Sequence, residues 1–330
     1  MKRILLSLFI TAVILFVLLS QISLKDLFIL LKAIDPLWAA LGSATYLVST
    51  LFRAFRFKYL IHSKNISFPD LFRITAFYHL SLMILPSKLG ELSYPYFLNK
   101  IGGMNMTEGL ASLIASRVYD FFIILMIFLL ALIGFHGLFK DNLFLILLLV
   151  CLLMVLLFLA FFYMSSFLRW LSNVLGKISK GTPSINAKSI LWVRRKMNEM
   201  AEDFYGIKAR KSYLSVSLTS LLSWGMIFWT FYAFLRGFGI EVPFTKMVLG
   251  STVAVIGNAL PISGIGNWGT LEAGWTVGFL MVGLSKEKAI TTGFGVHIII
   301  FIVCAMMSFF CWVTLKKIKP FSISPEERDR

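Results

Sequence analysis

The chain has 330 residues, 58% of them hydrophobic and only 15% charged, with a mean hydropathy of +0.84; a soluble domain carries about 25% charged residues, so water is excluded as its main solvent. Its 32 Lys and Arg against 16 Asp and Glu give a formal charge of +16, which in a soluble protein would suggest nucleic acid. Here many basic residues lie just outside apolar runs, where they set membrane orientation and attract anionic headgroups, so no nucleic-acid partner is expected.

Lys2 and Arg3 precede an apolar run from Ile4 to Leu19, a pattern shared by secretory signals and retained first helices. No small-x-small cleavage site follows Ser20, so a retained crossing near 4–20 is predicted. From Ser23 to Asp35, Leu24, Leu27, Phe28 and Leu31 recur at helical spacing, which predicts a short interfacial helix. Further full crossings are predicted near 37–57, 107–133, 142–165, 212–235 and 289–315, making six in all.

Two other apolar regions are interrupted. One, from Phe68 to Leu85, breaks at Pro86-Ser87-Lys88-Leu89-Gly90-Glu91 and resumes toward Leu98; the other, from Phe244 to Leu260, breaks at Pro261 through Gly269 and resumes from Thr270 to Leu284. Proline removes a backbone donor and glycine permits left-handed dihedrals, so each break exposes groups that lipid cannot satisfy. The segments 68–99 and 244–284 are therefore predicted as re-entrant hairpins, buried in protein or facing water.

Charge fixes the expected orientation. The stretch from Arg169 to Lys211 holds ten basic residues and three acidic ones, which makes it cytoplasmic, together with both termini and the cluster Arg53, Arg56 and Lys58. The fold class expected is an all-α polytopic membrane protein of the bacterial or archaeal inner membrane. Its parts would be a first helix and interfacial helix (1–35), a first repeat (36–135), a connecting helix with a basic segment (136–211), an inverted second repeat (212–317) and a tail (318–330). Paired interrupted segments in two inverted halves point to a transport site near the midplane.

The polar residues near the breaks are the candidate substrate-binding set. Arg53 and Arg56 share a helix face and could grip one phosphate or carboxylate, or simply anchor the helix end. Arg117 and Asp120 precede the uninterrupted apolar run from Phe121 to Ile133, where an unpaired charge costs at least about 2.5 kcal/mol. They read either as an internal ion pair or as an Arg117 facing an anion with Asp120 holding it. Lys88, Gly90 and Glu91 mark the first break, and Gly264, Gly266, Asn267 and Glu272 the second. Each Glu falls in the opening turn of a returning half-helix, where the dipole favours a carboxylate, with Asn267 or Thr270 as N-cap candidates in the second. Backbone N–H groups at these helix starts suit phosphate oxygens.

No cofactor is implied. The three cysteines lie inside apolar segments without paired or metal-like spacing. His62, His79, His136 and His297 are scattered, and His79 and His297 read as packing residues ahead of proton relays. The glycines of the second break lack the strand and soluble fold of a nucleotide loop.

The segments Arg53-Ala-Phe-Arg56-Phe, Leu85-Pro86-Ser-Lys88-Leu-Gly90-Glu91, Ser116-Arg117-Val-Tyr-Asp120 and Pro261-Ile-Ser-Gly264-Ile-Gly266 with Glu272 together resemble a flippase-like transmembrane family. That family includes the N-terminal membrane region of lysyl-phosphatidylglycerol synthases. The resemblance implies transfer of an anionic-headgroup lipid, a phospholipid or isoprenoid phosphate, between leaflets, and so a transporter rather than an enzyme. Its implied partners are lipid and membrane, with a homo-oligomer left open. Ending at Arg330 without an acyltransferase-like domain, the chain is not expected to attach lysine to lipid, and Ser116 and Lys88 depart from residues common among relatives. A membrane-embedded lipid-modifying enzyme and a regulatory subunit are the alternatives.

Overall fold

The computed structural model describes residues 12–62, 66–86, 89–133, 143–179, 184–259 and 266–315. Among the described residues every regular element is an α helix: α1 (Ala12–Leu19), α2 (Leu24–Lys32), α3 (Pro36–Leu60), α4 (Phe68–Ile84), α5 (Leu89–Gly102), α6 (Met106–Ile133), α7 (Leu143–Ser179), α8 (Ser184–Ala209), α9 (Tyr213–Gly237), α10 (Phe244–Ala259), α11 (Thr270–Met281) and α12 (Lys286–Val313).

Local chemistry sets several of these starts. Asp35 caps α3 by accepting from the N–H groups of Leu37 and Trp38 at 2.8 and 3.1 Å, with Pro36 at the first helical position. Ser23 and Ser67 cap α2 and α4 in the same way. At the break between α1 and α2 the chain bends by 82°, so α2 leaves the axis of α1. The segment 4–11 of the predicted first crossing lies outside the described residues.

Four helices, α6, α7, α9 and α12, are long and apolar enough to cross a membrane, or five if α1 and α2 count as one bent span. The six expected add α3 and a first crossing whose residues 4–11 lie outside the described ones. The helix α3 has 25 residues and at ~1.5 Å per residue is long enough, but Arg53, Arg56 and Lys58 in its second half dilute its apolar character. The fourth expected crossing is longer than its apolar stretch suggested, because α7 continues to Ser179. Most of α7 is exposed, as befits a helix coated by lipid on several sides.

Packing follows a regular scheme. α3 lies along α9. Each broken segment folds back on itself, α4 against α5 and α10 against α11; α4 also packs on α12 and α10 on α6. α5 adjoins α6 as α11 adjoins α12, and α2 leans on α12 as α8 leans on α6. Small residues permit the closest approach: a side chain on Gly278 of α11 would collide with the Gly250 carbonyl of α10, and one on Gly274 would lie 3.0 Å from the Ala254 Cα, the small-xxx-small solution to helix contact in lipid.

The polar helix α8 carries Asp203 beside Glu202, Glu108 and Arg210 in a cleft at the start of α6. Burial, aided by the carboxylates Glu108, Glu199 and Glu202 and opposed by a hydrogen bond with Thr107, pushes the Asp203 carboxyl up to about 6. A folded value above the unfolded ~3.9 means that ionisation disfavours the fold, so stability falls as pH rises from about 4 to about 6. Asp203→Asn is expected to flatten that slope and raise the melting temperature modestly at pH 7, by under about 1 kcal/mol because the group is partly solvated. Thermal unfolding at pH 4.5 and 7 checks it.

Candidate functional site

The second break turns on three residues with left-handed backbone within four positions. Gly266, Asn267 and Gly269 all have positive φ, at 58°, 62° and 85°, a region open to glycine and tolerated by asparagine. This lets the chain reach the first break: the Gly266 N–H donates to the Leu85 carbonyl at 3.1 Å. A side chain on Gly266 would collide with the Met83 carbonyl, so glycine is required by close approach as well as by φ. The two interrupted segments therefore touch, immediately before Pro86 and after residue 265. Lys88, Pro261 and Gly264, named from the sequence, lie outside the described residues.

On the first half, an ionic network links α3, α4, α5, α6 and α9. Arg56 donates to both oxygens of Asp120, at 2.5 and 3.3 Å, with side chains 3% and 4% exposed. The Trp224 indole N–H donates to Asp120 Oδ1 at 2.7 Å, and Ser220 lies 3.4 Å from Arg56. Arg117 is held by Glu91 at 2.8 Å and reaches Asp120 only at 3.5 Å. The Tyr78 hydroxyl donates to Glu91 at 2.7 Å and is itself contacted by Arg117.

These contacts place the charged residues named from the sequence. Arg56 is held by Asp120, and Arg53 has no carboxylate within ion-pair distance among the described residues. Asp120 is chiefly the partner of Arg56, and the residue that orients Arg117 is Glu91. Gly90 lets α5 approach α4, where a Cβ would meet the Leu82 Cα at 2.8 Å.

Arg53 stands apart. Its Nη1 donates to His79 Nε2 at 3.2 Å, and its guanidinium lies 5.4 Å from the Trp224 ring. No carboxylate lies within ion-pair distance of it among the described residues, and its Nε has no hydrogen-bond partner there. Since arginine can only donate, His79 Nε2 accepts and the proton sits on Nδ1; that nitrogen, on a side chain 3% exposed, is also without a partner among the described residues. Both residues line a cavity of about 140 Å³ with Tyr46, Gly266, Asn267 and His297, several times the ~30 Å³ share of one water. The cavity thus has one wall from each break.

Behind its second wall, Glu272 is fully buried at the third position of α11. Its Oε2 accepts the Gly269 N–H at 2.7 Å, and its Oε1 meets His297 Nδ1 at 2.6 Å. The cap is therefore Gly269, with Glu272 reaching back to it, rather than Asn267 or Thr270. Trp268 stacks on the His297 ring at 4.0 Å. The sequence reading assigned His79 and His297 to packing, and both border the cavity. One available signal was position: His297 is the eleventh residue after the start of its 28-residue helix (286 to 297), as Arg117 is of its own (106 to 117).

The chain matches the profile of the family described as Lysylphosphatidylglycerol synthase TM region over residues 4–307. Neither a curated protein nor a solved structure matches it significantly.

Proposed function

The chain belongs to the Lysylphosphatidylglycerol synthase TM region family, a group of membrane proteins tied to lipid biology, and from that premise we propose that it moves a lipid with an anionic headgroup between the leaflets of a cytoplasmic membrane. The observation that carries this reading is Arg53: a cation with unmet hydrogen-bonding capacity, lining a polar cavity where two chain breaks touch. An unneutralised guanidinium inside a membrane body is costly and calls for an anion. Phosphate is suited to its planar fork, with His79 Nδ1–H and the Asn267 amide as further donors. The headgroup would cross through this polar interior while the acyl chains stay in lipid, which avoids desolvating the phosphate in hydrocarbon.

The packing scheme supports an inverted repeat. Exchanging α2–α6 with α8–α12 turns the contact of α4 with α12 into that of α10 with α6, α2 with α12 into α8 with α6, and leaves α3 with α9 unchanged. On this reading α3 completes the set of crossings, α4–α5 and α10–α11 are re-entrant, and the basic α8 lies on the cytoplasmic side with both termini. Arg117 and Glu91, bound to each other, brace the first break and do not hold substrate directly.

Reconstituted into liposomes, the intact protein is expected to accelerate leaflet exchange of fluorescent phosphatidylglycerol well above protein-free vesicles, with phosphatidylcholine exchanged more slowly. Equal, unaccelerated exchange of anionic phospholipids and isoprenoid phosphates, with and without a pH or salt gradient, refutes it.

A further inference from the structure

The two halves hold their opening-turn glutamates differently. Glu91 is the third residue of α5 and Glu272 the third of α11; each meets a side chain eleven residues into the following 28-residue helix, Arg117 in α6 and His297 in α12. Arginine cannot lose its proton in a protein, whereas imidazole changes charge near neutral pH. Corresponding positions thus carry a permanent ion pair on one side and a titratable pair on the other. Only the titratable pair borders the cavity through its base: His297 lines it, across from Arg53 and His79.

We propose that Glu272 and His297 form a proton-carrying site whose protonation accompanies anion binding in the Arg53 cavity. The inference rests on the reading of that cavity as a headgroup site. In the described interior, three guanidiniums (Arg53, Arg56 and Arg117) stand against three carboxylates (Glu91, Asp120 and Glu272), so the set balances with both imidazoles neutral. A headgroup with one negative charge pairs with Arg53 and leaves the buried Glu272 as the one carboxylate without a cation to offset it, which one proton on its partner imidazole restores. With Glu272 ionised, His297 Nδ1–H donates to it, which leaves Nε2 to bond a proton given up by a buffer acid in bulk solvent and relayed through the water of the cavity. The product is an imidazolium bonded to carboxylate, with no other bond made or broken. Trp268 stacks on the ring at 4.0 Å, and the fully buried Glu272 is the counter-ion of the protonated ring.

Other groups on the helices packed against α12 bear on the site differently. From α3 the facing groups are Arg53 and the Tyr46 hydroxyl, which is bonded to Cys304 of α12 itself; from α4, His79. Arg73 of α4 is turned to Asp70 and the end of α12. From α2, Lys25, Asp26 and Lys32 are exposed, and Arg236 of α9 pairs with Glu241. The pair therefore answers to Arg53, His79 and the occupant of the cavity.

The consequence is linkage: anion affinity rises as pH falls, and an inward proton gradient drives headgroup movement with the proton. The test is calorimetric titration of short-chain phosphatidylglycerol into the purified full chain, in buffers of differing ionisation enthalpy at pH 7. About one proton taken up per lipid bound is expected for the unmodified protein, falling to about zero per lipid bound in Glu272→Gln and in His297→Gln. Binding with no proton uptake by the unmodified protein overturns the coupling alone and needs no variant to fold. No binding of the lipid at all overturns the headgroup reading beneath it.

Discussion

Asp120→Ala is expected to be the most damaging single substitution for the fold. It strips Arg56 of its carboxylate and Trp224 of its acceptor in one step, at a place where Arg56 and Asp120 are 3% and 4% exposed. Breaking a buried pair by removing one partner costs about 3–5 kcal/mol, because the remaining charge is left desolvated. That is a large share of the ~5–15 kcal/mol that holds a native protein together. The expected result is a sharp loss of monodisperse protein in detergent and a melting transition lowered or absent. Replacing both partners with apolar residues of similar size, Arg56→Met with Asp120→Leu, is expected to recover much of that loss, since the cost lies in the orphaned charge. A double substitution as damaging as the single one would contradict this account of the network.

Arg53→Gln is expected to do the opposite: little change in stability and a large loss of transport. Its hydrogen bond to His79 is its only described polar contact with a side chain, so no buried carboxylate is stranded when the charge goes. Charge-assisted hydrogen bonds are worth about 1.5–3 kcal/mol, and about 1.4 kcal/mol is a factor of ten, so leaflet exchange of phosphatidylglycerol should fall at least about tenfold. Arg53→Lys keeps the charge without the fork and should fall between the two. Exchange assays on protein whose melting temperature is unchanged separate this effect from misfolding. A transport-competent Arg53→Gln would remove the guanidinium from the mechanism.

Much of this arrangement was legible in the chain because its signals are punctuation. Proline and glycine interrupting long apolar runs mark both breaks, and the structure brings the described edges of these breaks into contact at Leu85 and Gly266. The charged positions were legible for a similar reason: Arg53, Arg56, Arg117, Asp120, Glu91 and Glu272 are conspicuous in a membrane sequence because each is costly there. Which of them pair was not legible. A spacing of three puts Arg53 and Arg56 near one another on α3, yet the faces of α4, α6 and α9 that meet them decide that Arg56 is neutralised and Arg53 is not. The partnership of Glu272 with His297 bridges 25 positions and depends on how α11 seats against α12. Apolarity alone does not single out α3 as a crossing, since it gives up apolar character to the arginines that build the site.

The central claim is that an anionic headgroup binds where the two breaks meet, held by Arg53. A cryo-electron microscopy map of the protein in nanodiscs containing phosphatidylglycerol tests it most directly. Phosphate density within hydrogen-bonding reach of the Arg53 guanidinium, about 3 Å, and beside Asn267 is the result expected. A cavity filled by water alone, with the ordered headgroup bound instead at Arg117 or on the outer surface, would contradict it.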